Sequence, residues 1–268
     1  MRVLAHISDL HFGTEESKVA EGLLSDLDVV KPHLVIISGD LTQRARKKQF
    51  IEAKNYLQKI NFPKLIIPGN HDIPLFDLFR RIFFPLTRFK KYISDELNPF
   101  YKDEEMTVLG INTARSLTWK EGRISLEQIT DMQNKLCSVS DKCLKVIVTH
   151  HPFIPPPENA GIKLVGRAVK AITIIDKCDV DLLLAGHLHN GYTGDIRPYY
   201  PRTKSSVIVV QAGTAISRRR RNEPNSYNLI ITDLDKITIN VRKWTGIQFN
   251  SSYTTTYIKE DLEWKRID

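Results

Sequence analysis

Residues 34–42 read Leu34-Val35-Ile36-Ile37-Ser38-Gly39-Asp40-Leu41-Thr42. Four consecutive apolar side chains suit a strand buried on both faces. A glycine and a carboxylate follow, where the chain must turn out of the sheet. The same grammar recurs on either side. Arg2 to Ser8 reads as a buried strand, with Val3, Leu4 and Ile7 apolar, and runs into Asp9-Leu10-His11. Leu65 to Ile67 is a third short strand, entered through Pro63 and left through Pro68, and runs into Gly69-Asn70-His71-Asp72. Between the strands, Lys18 to Val30 carries Val19, Leu23, Leu24 and Leu27 on one helical face, and Ala45 to Lys59 is a second helix. Strand, helix, strand, helix, strand predicts parallel strands joined by right-handed crossovers.

The pattern continues outward. Ser125 and Gln128 form a capping box that starts a helix carrying Ile129, Met132 and Leu136. Leu144 to Val148 is a strand leading to His150-His151, Leu164 to Cys178 a helix, and Leu182 to Ala185 a strand leading to Gly186-His187-Leu188-His189. Val207 to Gln211, Tyr227 to Thr232 and Ile237 to Lys243 read as antiparallel strands with short turns. The expected architecture is α/β: two sheets face to face with helices outside, a four-layer αββα sandwich. No repeat, low-complexity tract or linker divides residues 1–268, so one domain is expected.

Composition narrows the class. With 41% hydrophobic and 26% charged residues the chain is an ordinary globule. No apolar run reaches the roughly 18 to 20 residues a membrane span needs. The first residues lack the tripartite pattern of a secretory leader, which makes the cytoplasm the default expectation. Cys137, Cys143 and Cys178 form no close pair, which argues against a disulfide framework and fits a reducing compartment. None lies in a C-x-x-C spacing, so thiolate zinc is not expected. The net charge of +8 raises the expectation of a polyanionic partner or an anionic membrane surface, peripheral to which the protein would sit.

The chemistry-bearing residues all stand directly after apolar strands. Alone, each piece is weak: Asp9-x-His11 fits any turn, and Gly39-Asp40 is nearly uninformative. Together, strand ends deliver carboxylate, amide and imidazole donors to one edge, where open α/β sheets bind ligands. Oxygen and imidazole donors without thiolate suit manganese, iron or zinc. Two such ions about 3.5–4 Å apart polarise a phosphoryl group and hold a hydroxide for in-line attack.

In order and completeness these blocks resemble the calcineurin-like metallophosphoesterase superfamily over almost the whole chain. The resemblance implies two transition-metal ions, divalent or trivalent. Asp9, His11 and His189 would hold one, Asn70, His150 and His187 the other, with Asp40 bridging. It also implies that His71 stands beside the ions and protonates the leaving oxygen, and that Asp72 orients its imidazole. His151 would pack behind the ligands. The segments Ser38 to Thr42 and Gly69 to Asp72 look most like the class III cyclic-nucleotide phosphodiesterases. The implied reaction is hydrolysis of a small anionic phosphodiester, a cyclic nucleotide first, by a metal-bridging hydroxide. A pyrophosphohydrolase acting on a nucleotide-linked lipid A precursor is the second reading. A basic nucleic-acid-binding module without catalysis is a third, and the intact ligand set argues against it.

Three features stand outside this scheme. Residues 73–93 form an apolar and basic insertion, with Phe79, Phe83 and Phe89 among its aromatics and Arg80, Arg81, Arg88, Lys90 and Lys91 as cations. It is either a helical pair packed on the core or a cap meeting substrate or membrane. Arg218, in the run to Arg221, and Arg115, after an apolar strand, are the expected substrate contacts.

Overall fold

Alternate side chains of β1 (Arg2–Ile7) go to different cores: Leu4 enters one apolar cluster, while Ala5 and Ile7 enter another. That split, repeated strand after strand, makes the layers. The computed structural model describes every residue except Asp141, Asn222, Leu234, Leu262 and Asp268. After β1 come α1 (Ser17–Val30), β2 (Leu34–Ile37), α2 (Lys47–Leu57), β3 (Lys64–Ile66), α3 (Leu78–Phe83), α4 (Thr87–Tyr92), β4 (Phe100–Lys102) and β5 (Met106–Ile111). Then follow α5 (Leu126–Leu136), β6 (Leu144–Thr149), α6 (Ala168–Lys177), β7 (Leu182–Ala185), β8 (Tyr192–Asp195) and β9 (Ile208–Gln211). β10 (Ser226–Asp233), β11 (Lys236–Trp244), β12 (Phe249–Glu260) and β13 (Glu263–Arg266) complete the described elements.

One sheet has the order β13-β12-β11-β10-β1-β2-β3, the other β4-β5-β6-β7-β9-β8. Leu34 and Ile36 of the first sheet meet Val146, Val148, Leu182 and Leu184 of the second in the central core. Val35 and Ile37 turn outward onto α1 and α2, and Ile147 and Leu183 onto α5 and α6. The expected αββα sandwich is the observed one.

Four details differ from the sequence reading. The helix expected from Leu164 begins at Ala168, because Gly166 pairs with the 122–124 segment: its N–H donates to the Gly122 carbonyl and its own carbonyl accepts from Ile124. β9 lies parallel to β7 and antiparallel only to β8, so the second sheet is extended by one more parallel strand. Cys137 and Cys178, at the C-terminal ends of α5 and α6, are joined by a disulfide across 41 residues, so distance along the chain misjudged them and the thiol argument for a reducing compartment falls. Of the three phenylalanines that would fill a local core in the insertion, only Phe89 is buried; Phe79 and Phe83 are exposed. Among the described residues no helix is long and apolar enough to cross a membrane.

Candidate metal centre

The C-terminal ends of β1, β2 and β3 in one sheet and of β6 and β7 in the other open on one edge of the sandwich. Asp9, His11, Asp40, His187 and His189 all have left-handed backbone there, with φ between 47° and 76°. Non-glycine residues in that region cost about 1–3 kcal/mol each and persist where the surroundings over-determine them. The strain aims five side chains back over the strand ends. Gly39 shares this conformation with φ of 100°. Gly69 does not, and its requirement is room: a Cβ there would collide with the Asp40 carboxylate.

The side chains converge on two carboxylates. His11 Nε2 lies 3.4 Å from Asp9 Oδ1 and 3.7 Å from Asp40 Oδ2. His189 Nε2 lies 3.7 Å from Asp9 Oδ1. On the other side, His150 Nε2 lies 3.3 Å from Asp40 Oδ1. Asn70 Oδ1 lies 3.2 Å from His150 Nε2 and 3.0 Å from His187 Nδ1. Asp40 thus faces both groups. Imidazole tautomers are fixed from behind. His150 Nδ1–H donates to the Ser38 carbonyl at 2.7 Å, and His189 Nδ1 sits 2.7 Å from Thr214 Oγ1, so both present Nε2 to the carboxylates. The carboxylates are held too: Asp9 Oδ2 accepts the His187 backbone N–H, and Asp40 Oδ1 that of His71.

This site is costly without a cation. Burial would raise the Asp9 and Asp40 carboxyls, but the facing histidines, His189 and His150 foremost, hold both below the ordinary range. Burial would lower His150, yet Asp40 raises it to about 9. His187 is pushed down to about 4 by burial and by His150. Asp9 Oδ1 and both ring nitrogens of His11 are buried without a hydrogen-bond partner. Orphaned buried donors and acceptors of this kind need an explanation, and an oxygen–imidazole set matches transition-metal ions. The residues therefore fit the expected ions. His151 stands close by, with its Nδ1 2.7 Å from Thr113 Oγ1 and its Nε2 buried and unpartnered, and it shares a cluster of ring nitrogens with His150 and His187.

His71 lies at the mouth, edge-on to His11 with ring centroids 5.0 Å apart. Its Nδ1–H donates to the Gln43 carbonyl at 2.9 Å. That contact corrects the expectation for Asp72, which makes no contact with the ring. The Asp72 carboxylate accepts the Leu41, Thr42 and Gly69 backbone N–H groups and the Thr42 hydroxyl, and so staples the two ligand loops together. Burial and the neighbouring Asp40 push Asp72 up to about 6.

Neither expected substrate cation lines the cleft. Arg115 is turned to the Asn112 and Ala114 carbonyls and to Gln128, where it braces the start of α5. Arg218 lines a neighbouring groove with Arg46 and Gln49. The cleft, of about 200 Å³, is bordered instead by Lys120 and by Arg219, Arg220 and Arg221, with Asp40, Asn70, His71, His187 and His189 at its floor. Arg219 and Arg44 each bring a guanidinium nitrogen to 3.4 Å from His71 Nδ1. The sequence signal for them was the run of arginines, which does not say which member faces inward.

The sequence model of the calcineurin-like phosphoesterase family matches residues 2–191, and the chain belongs to that family. Among curated relatives it is 28% identical over 165 residues to the glycerophosphodiester phosphodiesterase GpdQ of Enterobacter lignolyticus, a match spanning 57% of this chain and 58% of the relative. The chain thus matches little more than half the length of that relative. It is 25% identical to a probable cyclic nucleotide phosphodiesterase of Coxiella burnetii, over 71% of this chain and 77% of the relative. Among solved structures, a dimetal phosphatase from Danio rerio shares the fold, with a TM-score of 0.67 at 13% identity over 95% of this chain and 98% of that one.

Proposed function

We propose that the protein is a metal-dependent phosphoester hydrolase acting on a phosphodiester through a dinuclear centre. Family membership and relatives named as phosphodiesterases support the reaction class. The observation that carries the dinuclear reading is the position of Asp40. One carboxylate oxygen faces His11, and the other faces His150. In this reading Asp9, His11 and His189 hold one ion and Asn70, His150 and His187 the other, with Asp40 shared. Bound there, manganese, iron or zinc would supply Lewis acidity and ease the ionisation of water. The chain's own groups do the rest. The Ser38 carbonyl and the Thr214 hydroxyl keep ring protons off Nε2 of His150 and His189. Gln43 ties Nδ1 of His71, so a proton passed to a leaving oxygen goes by Nε2. Arg219, Arg44 and Lys120 oppose negative charge at the mouth.

A small diester is the substrate class this cleft suits, and a cyclic nucleotide is its first candidate. Metal counting and turnover together test the proposal. Saturation with manganese or zinc should leave two ions per chain, with hydrolysis of bis(p-nitrophenyl) phosphate and of cyclic nucleotides. Zero or one ion would remove the dinuclear reading. Two ions with no hydrolysis of any diester would remove the substrate class.

A further inference from the structure

The helix α3 holds its charge and its apolar surface the wrong way round: Arg81 is buried, while Leu78, Phe79, Ile82 and Phe83 are exposed. Phe76 is 77% exposed, Phe79 65% and Phe83 63%, and Ile82 and Phe84 are exposed beside them. Phe79 packs against its neighbours, with ring centroids 5.1 Å from Phe83 and 6.1 Å from Phe84. A second segment joins this surface. Leu117 and Trp119 are also exposed, and Arg81 fastens them to α3. Its guanidinium lies 4.6 Å over the Trp119 ring and donates to the Pro74 and Thr118 carbonyls. Two separate stretches of chain thus expose large apolar side chains and are joined through Arg81, where ordinary surfaces scatter such residues singly.

Each stretch leads to a residue at the metal cleft. Phe76 lies under Arg44, 5.9 Å from its guanidinium, and Arg44 reaches His71. On the other side Lys120, which lines the cleft, follows Trp119 directly. The rim is cationic. Arg80, Lys90 and Lys91 are exposed, and Lys47 and Lys91 share with Phe79 a groove at the foot of α4. Between Ile73 and Ser94 the only acid is Asp77, which caps α3 and pairs with Arg80.

We propose that this face docks on an anionic lipid bilayer, the aromatic rings entering the headgroup–acyl boundary and the cations meeting lipid phosphates. The charge pattern selects this occupant. A second copy meeting the face about a twofold axis would set the same cations against each other. A bilayer supplies both the apolar depth and the opposite charge. Docked so, the cleft opens at headgroup level. The inference goes beyond the hydrolytic reading and stands without it.

Co-sedimentation with vesicles tests it, using phosphatidylcholine alone or with about one third phosphatidylglycerol. The wild-type protein should sediment with the anionic vesicles and far less with the neutral ones. Phe79→Ser with Phe83→Ser should lower binding about a hundredfold, since each buried ring is worth roughly tenfold. Arg80→Glu with Lys91→Glu should lower it as far and remove its salt sensitivity. Arg81 is left intact because it is buried. Unchanged hydrolysis of bis(p-nitrophenyl) phosphate and an unchanged melting temperature would assign the loss to docking. Failure of the wild-type protein to bind anionic vesicles would overturn the proposal. So would equal binding by the Phe79 and Phe83 variant, or a dimer of the wild-type protein that this variant alone dissolves. Absence of hydrolysis by the metal-loaded wild-type protein, with vesicle binding intact, would strike the proposed function and leave this one standing.

Discussion

The metal edge, to which Asn70 and His71 belong, leads through residues 73–77 into α3 and α4, and the two regions obey opposite rules. The first buries ionisable groups without full partners: Asp9 Oδ1 and the His11 ring stand in a buried, strained edge. The second exposes Phe76, Phe79 and Phe83 to water. Folding alone favours neither, since an unpaired buried polar atom and a bare aromatic ring both cost free energy. The comparison teaches that an unmet need of either sign points outside the chain, to ions in one case and to a surface in the other. The exposed rings are not a failure of the whole insertion to pack, because its Phe89 and Leu86 are buried in one cluster with Phe50 and Ala53 of α2.

Variants can break this contrast. Asp40→Ala should have the largest effect. As the shared ligand, its loss should cost metal from both positions and turnover on the order of 10³-fold or more, read by metal counting beside kinetics. Retention of both ions would show that Asp40 is not shared. Next, His71→Ala should keep the metals and lose about 10²–10⁴ in rate on a poor leaving group, and less on a nitrophenolate. Equal activity on the poor leaving group would deny it an acid role. Phe89→Ala opens a buried cavity and should cost about 3–5 kcal/mol in a denaturant titration. Asp72→Asn sets an amide against backbone donors and should cost about 1–3 kcal/mol, with less effect on rate than His71→Ala. If its rate loss matched that of His71→Ala at full stability, Asp72 would act on the chemistry and not through the loops. Phe83→Ala should change stability by less than about 0.5 kcal/mol, and a larger loss would mean the ring is packed after all.

Much of this was legible beforehand, for a physical reason. Strands buried on both faces leave apolar runs such as Leu34 to Ile37, and donors placed directly after them can only meet at the strand ends. The convergence of the strand-end donors followed from that, and the resemblance to the family supplied the expected set of seven ligands. What escaped depended on direction within a turn. Asp72 points back at Leu41 and Thr42 because the chain coils into a single 3-10 turn at Asn70–Asp72. Arg218 and Arg219 differ by one residue in a loop, and only the second faces His71. The disulfide escaped because α5 and α6 come together through the sheet, which spacing along the chain does not reveal.

The pairing of β1 with β10 has a temporal consequence. Arg2 stands opposite Thr232 and His6 opposite Asn228. On a ribosome the first strand emerges early, while its antiparallel neighbour follows after about 10 to 50 s of further synthesis. Until then one edge of β1 offers bare amide and carbonyl groups to any passing strand. Asp9 also waits for His189, and His189 for the Thr214 hydroxyl behind its ring. The ion-binding edge is therefore among the last parts of the molecule to mature. A nascent chain stalled before Asn225 should be a strong substrate for chaperones, however complete its earlier helices.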